Sequence, residues 1–165
     1  MMGGLLLGAG ELRTDSVGVF NEQGKVIHVA PPQEMVPELM KQLFDWLSNS
    51  KANMLIRSSV FHYEFEFIHP FGDGNGRTGR LWQTALLASW KPVFEWIPIE
   101  SIIKDNQEEY YRAISLSTAE GKSNRFILFM LGIIKKAVSE LARDTRNHQS
   151  HISNQIKALM AVIEV

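Results

Sequence analysis

Apolar residues recur mostly at helical spacing along this chain. Between Met35 and Leu47 they fall every three or four positions, the pattern of a helix with one buried face. The same spacing predicts four further helices: residues 52–67, 77–90, 99–116 and 124–143. Residues that disfavour helices separate them: Asn49, Ser50, Pro70, Pro92 and the segment 119–122. The sequence therefore predicts a mostly α protein.

One segment near the N-terminus departs from this pattern and predicts a β-hairpin. Two β-prone runs, 17–20 and 26–29, flank a polar turn that contains Asn21 and Gly24. A two-stranded hairpin is marginal alone and needs packing. The hairpin therefore either covers the core or presents an edge to which an extended segment of another protein adds a strand.

Composition limits the classes of function. The chain has 165 residues, a net charge of −1 and 45% hydrophobic residues, enough for one domain with a core. Without a basic excess, direct nucleic-acid binding is not expected. The absence of cysteine excludes disulfides, thiolate metal sites and a cysteine nucleophile. No run approaches the roughly 18 apolar residues of a membrane span, so we expect no membrane association and a cytoplasmic location.

Three regions are expected along the chain. The glycine-rich residues 1–9 are expected to be a disordered remnant, and residues 10–143 to form the domain. Residues 144–165 are polar and then apolar, and are expected to form a helical tail. That tail either pairs in a homodimer or leads to a further domain.

The run from His69 to Arg80 concentrates the chemistry. Its glycines, between residues 72 and 76, permit a turn in which backbone N–H groups converge on an anion. A helix that begins after the turn adds its free N–H groups and the positive end of its dipole. Arg77 and Arg80 lie three apart, on one side of that helix, and their guanidinium groups suit phosphate oxygens.

Two residues of the run supply acid–base and metal chemistry. Asp73 is a hard oxygen ligand, suited to the Mg²⁺ of a nucleotide. His69, with an ordinary pKa near ~6.5, can take a proton from an attacking hydroxyl, and the dipole at a helix C-terminus should favour its protonation. We therefore expect phosphoryl or nucleotidyl transfer. The candidate residues are His69 as catalytic base, Asp73 as metal ligand and, for the phosphates, Gly74, Asn75, Gly76, Arg77 and Arg80.

Other motifs fit this run poorly. Residues 74–79 match the dinucleotide pattern GxGxxG, but a helix rather than a strand is predicted before them. The lysine of a P-loop is missing. A calcium loop would need glycine at Thr78 and glutamate at Thr84. A mere glycine turn between two helices would leave His69 and Asp73 unexplained.

The run 69–80 resembles the signature of the Fic family, HPFxDGNGRxxR, at every fixed position. Residues 10–15 and 26–32 resemble the family's flap, and 107–111 resembles a segment near the nucleotide base, so the resemblance covers roughly residues 10–136. It implies the Fic fold, a helical bundle with a β-hairpin flap beside the active site. It also implies AMPylation, in which AMP passes from ATP to a Ser, Thr or Tyr hydroxyl of a target protein and pyrophosphate is released.

The resemblance further implies roles for individual residues. The second arginine, Arg80, orients the γ-phosphate. Tyr110 and Tyr111 are either core aromatics, or one of them stacks on adenine. The flap would hold the target by main-chain pairing at Val19, Lys25, Val26 and Ile27. Two alternatives stay open: a relative that uses another nucleotide or phospho-donor, and a nucleotide-binding regulatory module without turnover.

Regulation is where the sequence departs from many relatives. Fic proteins are commonly inhibited by a helix with the pattern (S/T)xxxE(G/N), whose glutamate pairs with the second arginine. No Ser or Thr of this chain has Glu four residues later, and Leu116 precedes the only candidate, Glu120-Gly121. Either an N-terminal segment carries the inhibitory helix, or a separate partner supplies it, or the chain is unregulated.

Two further histidines and the tryptophans are expected to be structural. His62 is expected to be a core histidine and His28 to stabilise the hairpin. The tryptophans are all expected in the core: Trp46, Trp82, Trp90 and Trp96.

Overall fold

Seven helices and one hairpin make up the part of the chain that can be described. A computed structural model describes residues 10–20, 24, 26–144 and 151–163. The hairpin strands are β1 (Gly18–Phe20) and β2 (Val26–Val29), followed by a short 3-10 helix (Gln33–Met35). The helices are α1 (Val36–Asn49), α2 (Met54–Ile68), α3 (Asn75–Trp90), α4 (Ile99–Asp105), α5 (Gln107–Glu120), α6 (Asn124–Asp144) and α7 (His151–Ile163), with a second 3-10 helix (Pro92–Trp96) before α4. The predicted mostly α fold with one hairpin is confirmed.

Helix α2 lies at the centre, and none of its residues is fully exposed, as expected for a buried helix. One side packs Phe61, Phe65 and Ile68 into a cluster with α1. Its other side contributes Leu55 and Tyr63 to a larger cluster with α4, α5, α6 and α7. Full burial of one such side chain contributes about 1.5–3 kcal/mol, so these two clusters fix the position of α2 and of the residues at its end.

The hairpin is antiparallel, with Gly18 opposite Val29 and Val19 opposite His28. Its register is irregular between Val19 and Phe20. It packs on the end of α2, because the buried His28 donates from Nε2 to the carbonyl of Phe67 at 2.8 Å. His28 is thus structural, as predicted. The predicted flap residue Lys25 and the predicted N-terminal remnant, residues 1–9, lie outside the described residues.

Two predictions about the helices were wrong in detail. The single helix predicted over 99–116 is two, α4 and α5, because the backbone leaves helical geometry at Asn106 (φ −122°). Trp96 is 68% exposed and Trp46 36% exposed, so they are not core residues, whereas Trp82 and Trp90 pack against the clusters. Spacing identifies a helix face but not how far a neighbouring element covers it.

The C-terminal region contains a helix that packs on the domain. Within α7, Ile156 and Leu159 are buried in the larger cluster and α7 lies against α6. No described helix is both long and apolar enough to cross a membrane.

Candidate active site

The candidate base His69 ends helix α2 in an unusual backbone conformation. Its amide donates to the carbonyl of Phe65 at 2.9 Å, as in a helix, but its φ of 51° is left-handed. Among the described residues it is the only one other than glycine with positive φ. Such a conformation costs about 1–3 kcal/mol and persists where the surroundings impose it. The chain therefore turns away from the axis of α2 at His69.

Arg13 bonds the backbone at this turn, a contact that was not predicted from the sequence. It is 7% exposed. Its guanidinium donates to the carbonyls of His69 (2.8 Å), Ile68 (3.2 Å), Asp15 (2.8 Å) and Pro31 (2.5 Å). The last carbonyls of a helix lack intrahelical partners, and Arg13 satisfies two of them. Burial lowers the pKa of Arg13, although the charge of Glu34 opposes this.

The ring of His69 is held through one nitrogen. Nδ1 donates to the carbonyl of Glu66 at 3.4 Å, which leaves Nε2 as the nitrogen with a free lone pair. Burial lowers the pKa of His69, and Arg13 and His28 add to this effect, while the bond to Glu66 and the charge of Asp73 oppose it. The expectation that a helix dipole favours the imidazolium is therefore corrected: desolvation is the larger effect and favours the neutral base.

The loop after His69 is closed by the side chain of Asn75. Its Oδ1 accepts from the amide of Phe71 at 2.8 Å and its Nδ2 donates to the carbonyl of Phe71 at 2.7 Å. Asn75 is only 2% exposed. Its side chain therefore shapes the loop, and its predicted phosphate contact remains a prediction for its backbone N–H.

Helix α3 presents its free N-terminus at this loop. Gly74 precedes it with φ 83°, a conformation that favours glycine, and the first helical hydrogen bond runs from Thr78 to Gly74 at 2.9 Å. In this described stretch, the backbone N–H groups of Asn75, Gly76 and Arg77 have no hydrogen-bond acceptor. Three free N–H groups and the helix dipole together favour an anion.

Asp73 and Arg77 lie at the exposed rim of this anion site. Asp73 Oδ1 accepts from the amide of Gly74 at 2.6 Å, and Oδ2 lies 3.3 Å from Arg77 Nη2. Both side chains are more than half exposed. No three histidine, aspartate or glutamate side chains of the described residues gather into a metal site.

Arg80 lies one turn further along α3 and is less exposed. Its Nε donates to Glu100 Oε1 of α4 at 3.0 Å. It also borders a cavity of about 100 Å³. The cavity is lined by Arg80, Glu100, Ile103, Lys104, Gln107, Tyr110 and Tyr111. Both predicted adenine contacts thus lie beside Arg80.

The two tyrosines differ in burial. Tyr110 is 4% exposed and its hydroxyl is hydrogen-bonded to His62 Nε2 at 3.2 Å. Tyr111 is partly exposed, and Gln107 donates to its hydroxyl at 3.3 Å. Tyr111 therefore has the more accessible ring of the two.

A buried polar cluster beneath Arg80 was also missed from the sequence. Glu66 is 3% exposed, and its Oε1 atom lies 3.8 Å from His62 Nε2 and has no hydrogen-bond partner. Burial raises the pKa of Glu66 to about 7 against the opposing charge of Arg80. Burial lowers the pKa of His62 to about 3, so this core histidine, predicted as such, is neutral.

Glycine in α3 makes room for this cluster. A Cβ on Gly79 would lie 2.6 Å from Glu66 Oε1 and 3.2 Å from His62 Cδ2. A Cβ on Gly76 would lie 3.1 Å from Arg80 Nη1. Glycine at position 79 lets the backbone of α3 approach Glu66 closely, and glycine at position 76 leaves room for the side chain of Arg80 on the same helix. A carboxylate on the apolar side of a helix, three residues before His69, was the available sequence signal.

The predicted target-binding edge of the flap includes exposed residues of β2. Val26 is half exposed and Val29 more so. Val19 and Ile27 belong to the paired strands, but their side chains are not described. The four predicted flap contacts stay predictions.

Comparison with known proteins decides the family. The model of the Fic/DOC family matches residues 2–87, slightly more than half of the chain. The chain belongs to the Fic/DOC family. A crystal structure of a Fic family protein from Desulfovibrio desulfuricans G20 is 46% identical, with a TM-score of 0.82 over 90% of this chain and 45% of that one. The fold predicted from the Fic resemblance is confirmed.

Curated relatives of this Fic chain carry enzyme names. A probable protein adenylyltransferase of Aquifex aeolicus is 47% identical over 58 residues, covering 34% of this chain and 18% of that protein. A protein adenylyltransferase of Caenorhabditis briggsae is 35% identical over 66% of this chain and 20% of its own length. One of Drosophila mojavensis is 31% identical over 78% of this chain and 24% of its own. The chain thus spans no more than about a quarter of these three relatives.

Proposed function

We propose that this Fic domain, residues 10–143, transfers AMP from ATP to a hydroxyl side chain of a target protein. The observation that supports this best is the position of His69. This partly buried histidine, whose pKa is lowered by burial, directly precedes the loop that leads to the free N–H groups of α3. The relatives named as protein adenylyltransferases support the same chemistry. The reaction would occur in the cytoplasm.

His69 acts as the base in this proposal. Nε2 accepts the proton of the target hydroxyl while the hydroxyl oxygen attacks the α-phosphorus of ATP. The new oxygen–phosphorus bond forms as the bond from the α-phosphorus to the bridging oxygen breaks, and the electron pair leaves with pyrophosphate. Since burial lowers the pKa of His69, the ring is neutral and ready to accept a proton at pH 7.

The N-terminus of α3 stabilises charge in the transition state. The free N–H groups of Asn75, Gly76 and Arg77 would face the phosphate oxygens, where preorganised donors are most effective. Arg77 and Arg80 would hold the β- and γ-phosphates through their guanidinium groups. Phosphate would compete with Glu100 for the guanidinium of Arg80.

Asp73 would hold Mg²⁺ together with the nucleotide. The donor set fits, because nucleotide-bound Mg²⁺ takes one or two carboxylates with phosphates and water, and Asp73 is an exposed carboxylate at the rim of the anion site. Bound Mg²⁺ would neutralise charge on the α- and β-phosphates.

Adenine and the target would be held by different parts of the site. We place adenine in the cavity beside Arg80 and infer that Tyr111, with the accessible ring, stacks on it. The flap edge at Val26 would pair with the main chain of the target. Main-chain pairing carries little sequence information, so the target is not identified by it.

The test is incubation with Mg²⁺ and α-labelled ATP, alone and with cell lysate. We expect His69→Ala to reduce label transfer by about 10²–10⁴-fold, the usual contribution of a general base, with little change in ATP affinity. Arg80→Ala should instead weaken ATP binding. Label that persists in His69→Ala would contradict the assignment. Transfer of label from γ-labelled ATP would show a phospho-donor reaction instead.

A further inference from the structure

The strongest unassigned feature is a link between the flap and the end of α2. Arg13 lies before β1, Pro31 after β2, and His69 at the end of α2, so three separate segments meet at one guanidinium. The backbone joins the same point, because the amide of Arg13 donates to the carbonyl of Pro70 at 2.9 Å. One side chain and its own amide thus hold the carbonyls of three consecutive residues, 68–70.

We propose that Arg13 is a positioning residue that fixes the backbone of His69 and ties it to the flap. It sets where the His69 ring stands relative to the flap edge that holds the target hydroxyl. The inference rests on the proposed function in one respect, that His69 is the base. Arg13 itself contacts backbone carbonyls and no reacting atom.

The chemistry of the contact supports this role. No carboxylate bonds Arg13 in the described part of the chain, and its donors point at carbonyls of both segments. A cation at the C-terminal end of a helix is favoured by the helix dipole. The planar guanidinium reaches several carbonyls at once, which the point charge of lysine does not. A simple surface salt bridge does not require one guanidinium to donate to several backbone carbonyls.

His28 reinforces the same connection from β2. Its bond to the carbonyl of Phe67 brings the flap to the residue before those that Arg13 holds. The carbonyls of residues 67–70 are therefore all occupied by donors from the flap region. The base and the target-binding edge form one hydrogen-bonded unit.

Arg13→Lys is the main test variant, because it keeps the charge and loses the fork. The matched control is Arg57→Lys. Arg57 also donates to a backbone carbonyl, that of Leu47. It lies near the other end of α2, roughly 18 Å from His69 at a rise of about 1.5 Å per residue. Thermal unfolding should show both variants folded.

Two readouts separate positioning from a merely structural effect. In hydrogen exchange, Arg13→Lys should raise exchange at least about tenfold at the amides of both His69 and Ala30, which report on the end of α2 and on β2. In the transfer assay, it should lower kcat at least about tenfold while ATP affinity by calorimetry stays within about twofold. Arg57→Lys should change neither readout.

The outcomes distinguish this inference from the proposed function. Unchanged exchange in both Arg13→Lys and the harsher Arg13→Met would overturn it, as would a rise at only one of the two amides. Loss of ATP affinity equal to the loss of kcat would also overturn it. If the wild-type chain transfers no AMP, the proposed function fails, while coupled exchange would still support the link between flap and α2.

Discussion

At the scale of single residues, burial more than charge sets the protonation of the groups around the site. Glu66 and Arg80 interact favourably, yet desolvation raises the pKa of Glu66 to about 7. His62 lies beside them, and desolvation together with the charge of Arg80 lowers its pKa to about 3. The carboxyl is thus half protonated near neutral pH while its histidine neighbour stays neutral.

This predicts an opposite pH dependence for the two groups. The folded pKa of Glu66, about 7, lies above its ordinary value of 4.5, so its contribution to stability is complete below pH 4.5 and is lost as the pH rises through about 7. The folded pKa of His62 lies below its ordinary value of 6.5, so stability falls as the pH drops from 6.5 toward 3.

Glu66→Gln should remove the loss of stability that accompanies ionisation of Glu66 between pH 4.5 and about 7. The total loss attributable to Glu66 is of order 3 kcal/mol, from about 1.4 kcal/mol for each pKa unit. We expect the melting temperature of the variant to decline less, or to rise more, than that of the wild type between pH 4.5 and about 7, the interval between the ordinary and the folded pKa. The control Glu108→Gln changes an exposed carboxyl of α5 and should leave the wild-type profile. Parallel profiles for Glu66→Gln and wild type would contradict the prediction.

The second prediction at this scale concerns the partner of Arg80. Glu100→Gln removes the negative charge that pairs with Arg80 Nε and would compete with phosphate for the guanidinium, so ATP affinity should rise. Exposed ion pairs contribute about 0.2–1 kcal/mol, which corresponds to a gain of up to about fivefold. Calorimetric titration with ATP measures it. Glu120→Gln is the matched control, because Glu120 pairs with Arg125 at the same 3.0 Å away from the site; a similar gain there would point to a general charge effect.

At the scale of elements, the site depends on how closely α3 approaches α2. The carboxyl of Glu66 occupies the space that a side chain on Gly79 would need. A glycine inside a helix costs about 1 kcal/mol relative to alanine, so close approach is obtained at a local loss of helix propensity. Arg80, one residue later, owes its place above Glu66 to this approach.

Gly79→Ala and Gly132→Ala compare the gain in helix propensity with the cost of crowding Glu66. Both replace a glycine within a helix, but nothing lies within 4 Å of a Cβ on Gly132 of α6. Gly132→Ala should therefore raise the free energy of unfolding by about 1 kcal/mol. The free energy of unfolding of Gly79→Ala should be about 1–3 kcal/mol lower than that of Gly132→Ala, because the added methyl group overpacks the contact with Glu66. Urea denaturation measures both. Equal stabilities would show that Glu66 moves aside freely.

At the scale of the whole molecule, two apolar clusters meet along α2, and the site lies where α2 ends. The larger cluster includes Leu159 and Ile156 of α7, so the C-terminal helix belongs to the same packed body as α4, α5 and α6. A substitution that destabilises this cluster should therefore destabilise the whole domain, because domains of this size commonly unfold in a single transition.

Leu159→Ala tests this coupling. Leu159 is 1% exposed, and such a truncation typically costs about 2–5 kcal/mol. We expect a single urea transition at lower midpoint, followed by both far-UV circular dichroism and tryptophan fluorescence. Leu128→Ala, at a residue of α6 that is 66% exposed, should stay within about 0.5 kcal/mol of wild type. Two separate transitions in Leu159→Ala would mean that α7 is not part of the cooperative unit.

The sequence by itself determined the helices, the hairpin and the run from His69 to Arg80. Apolar spacing is a local property, and so is the order of a base, an acid, a glycine turn and two arginines within twelve positions. These features need no knowledge of what packs against them. The break at Asn106 and the exposure of Trp96 escaped prediction because they depend on neighbouring elements.

Only the tertiary structure decided which distant residues support the site and in which protonation state. Arg13 meets His69 across 56 positions, and Tyr110 meets His62 across 48. Nothing in local spacing encodes such contacts, because they arise when helices and the flap pack. Burial follows from the same packing, and it is burial that lowers the pKa of His69 and raises the pKa of Glu66.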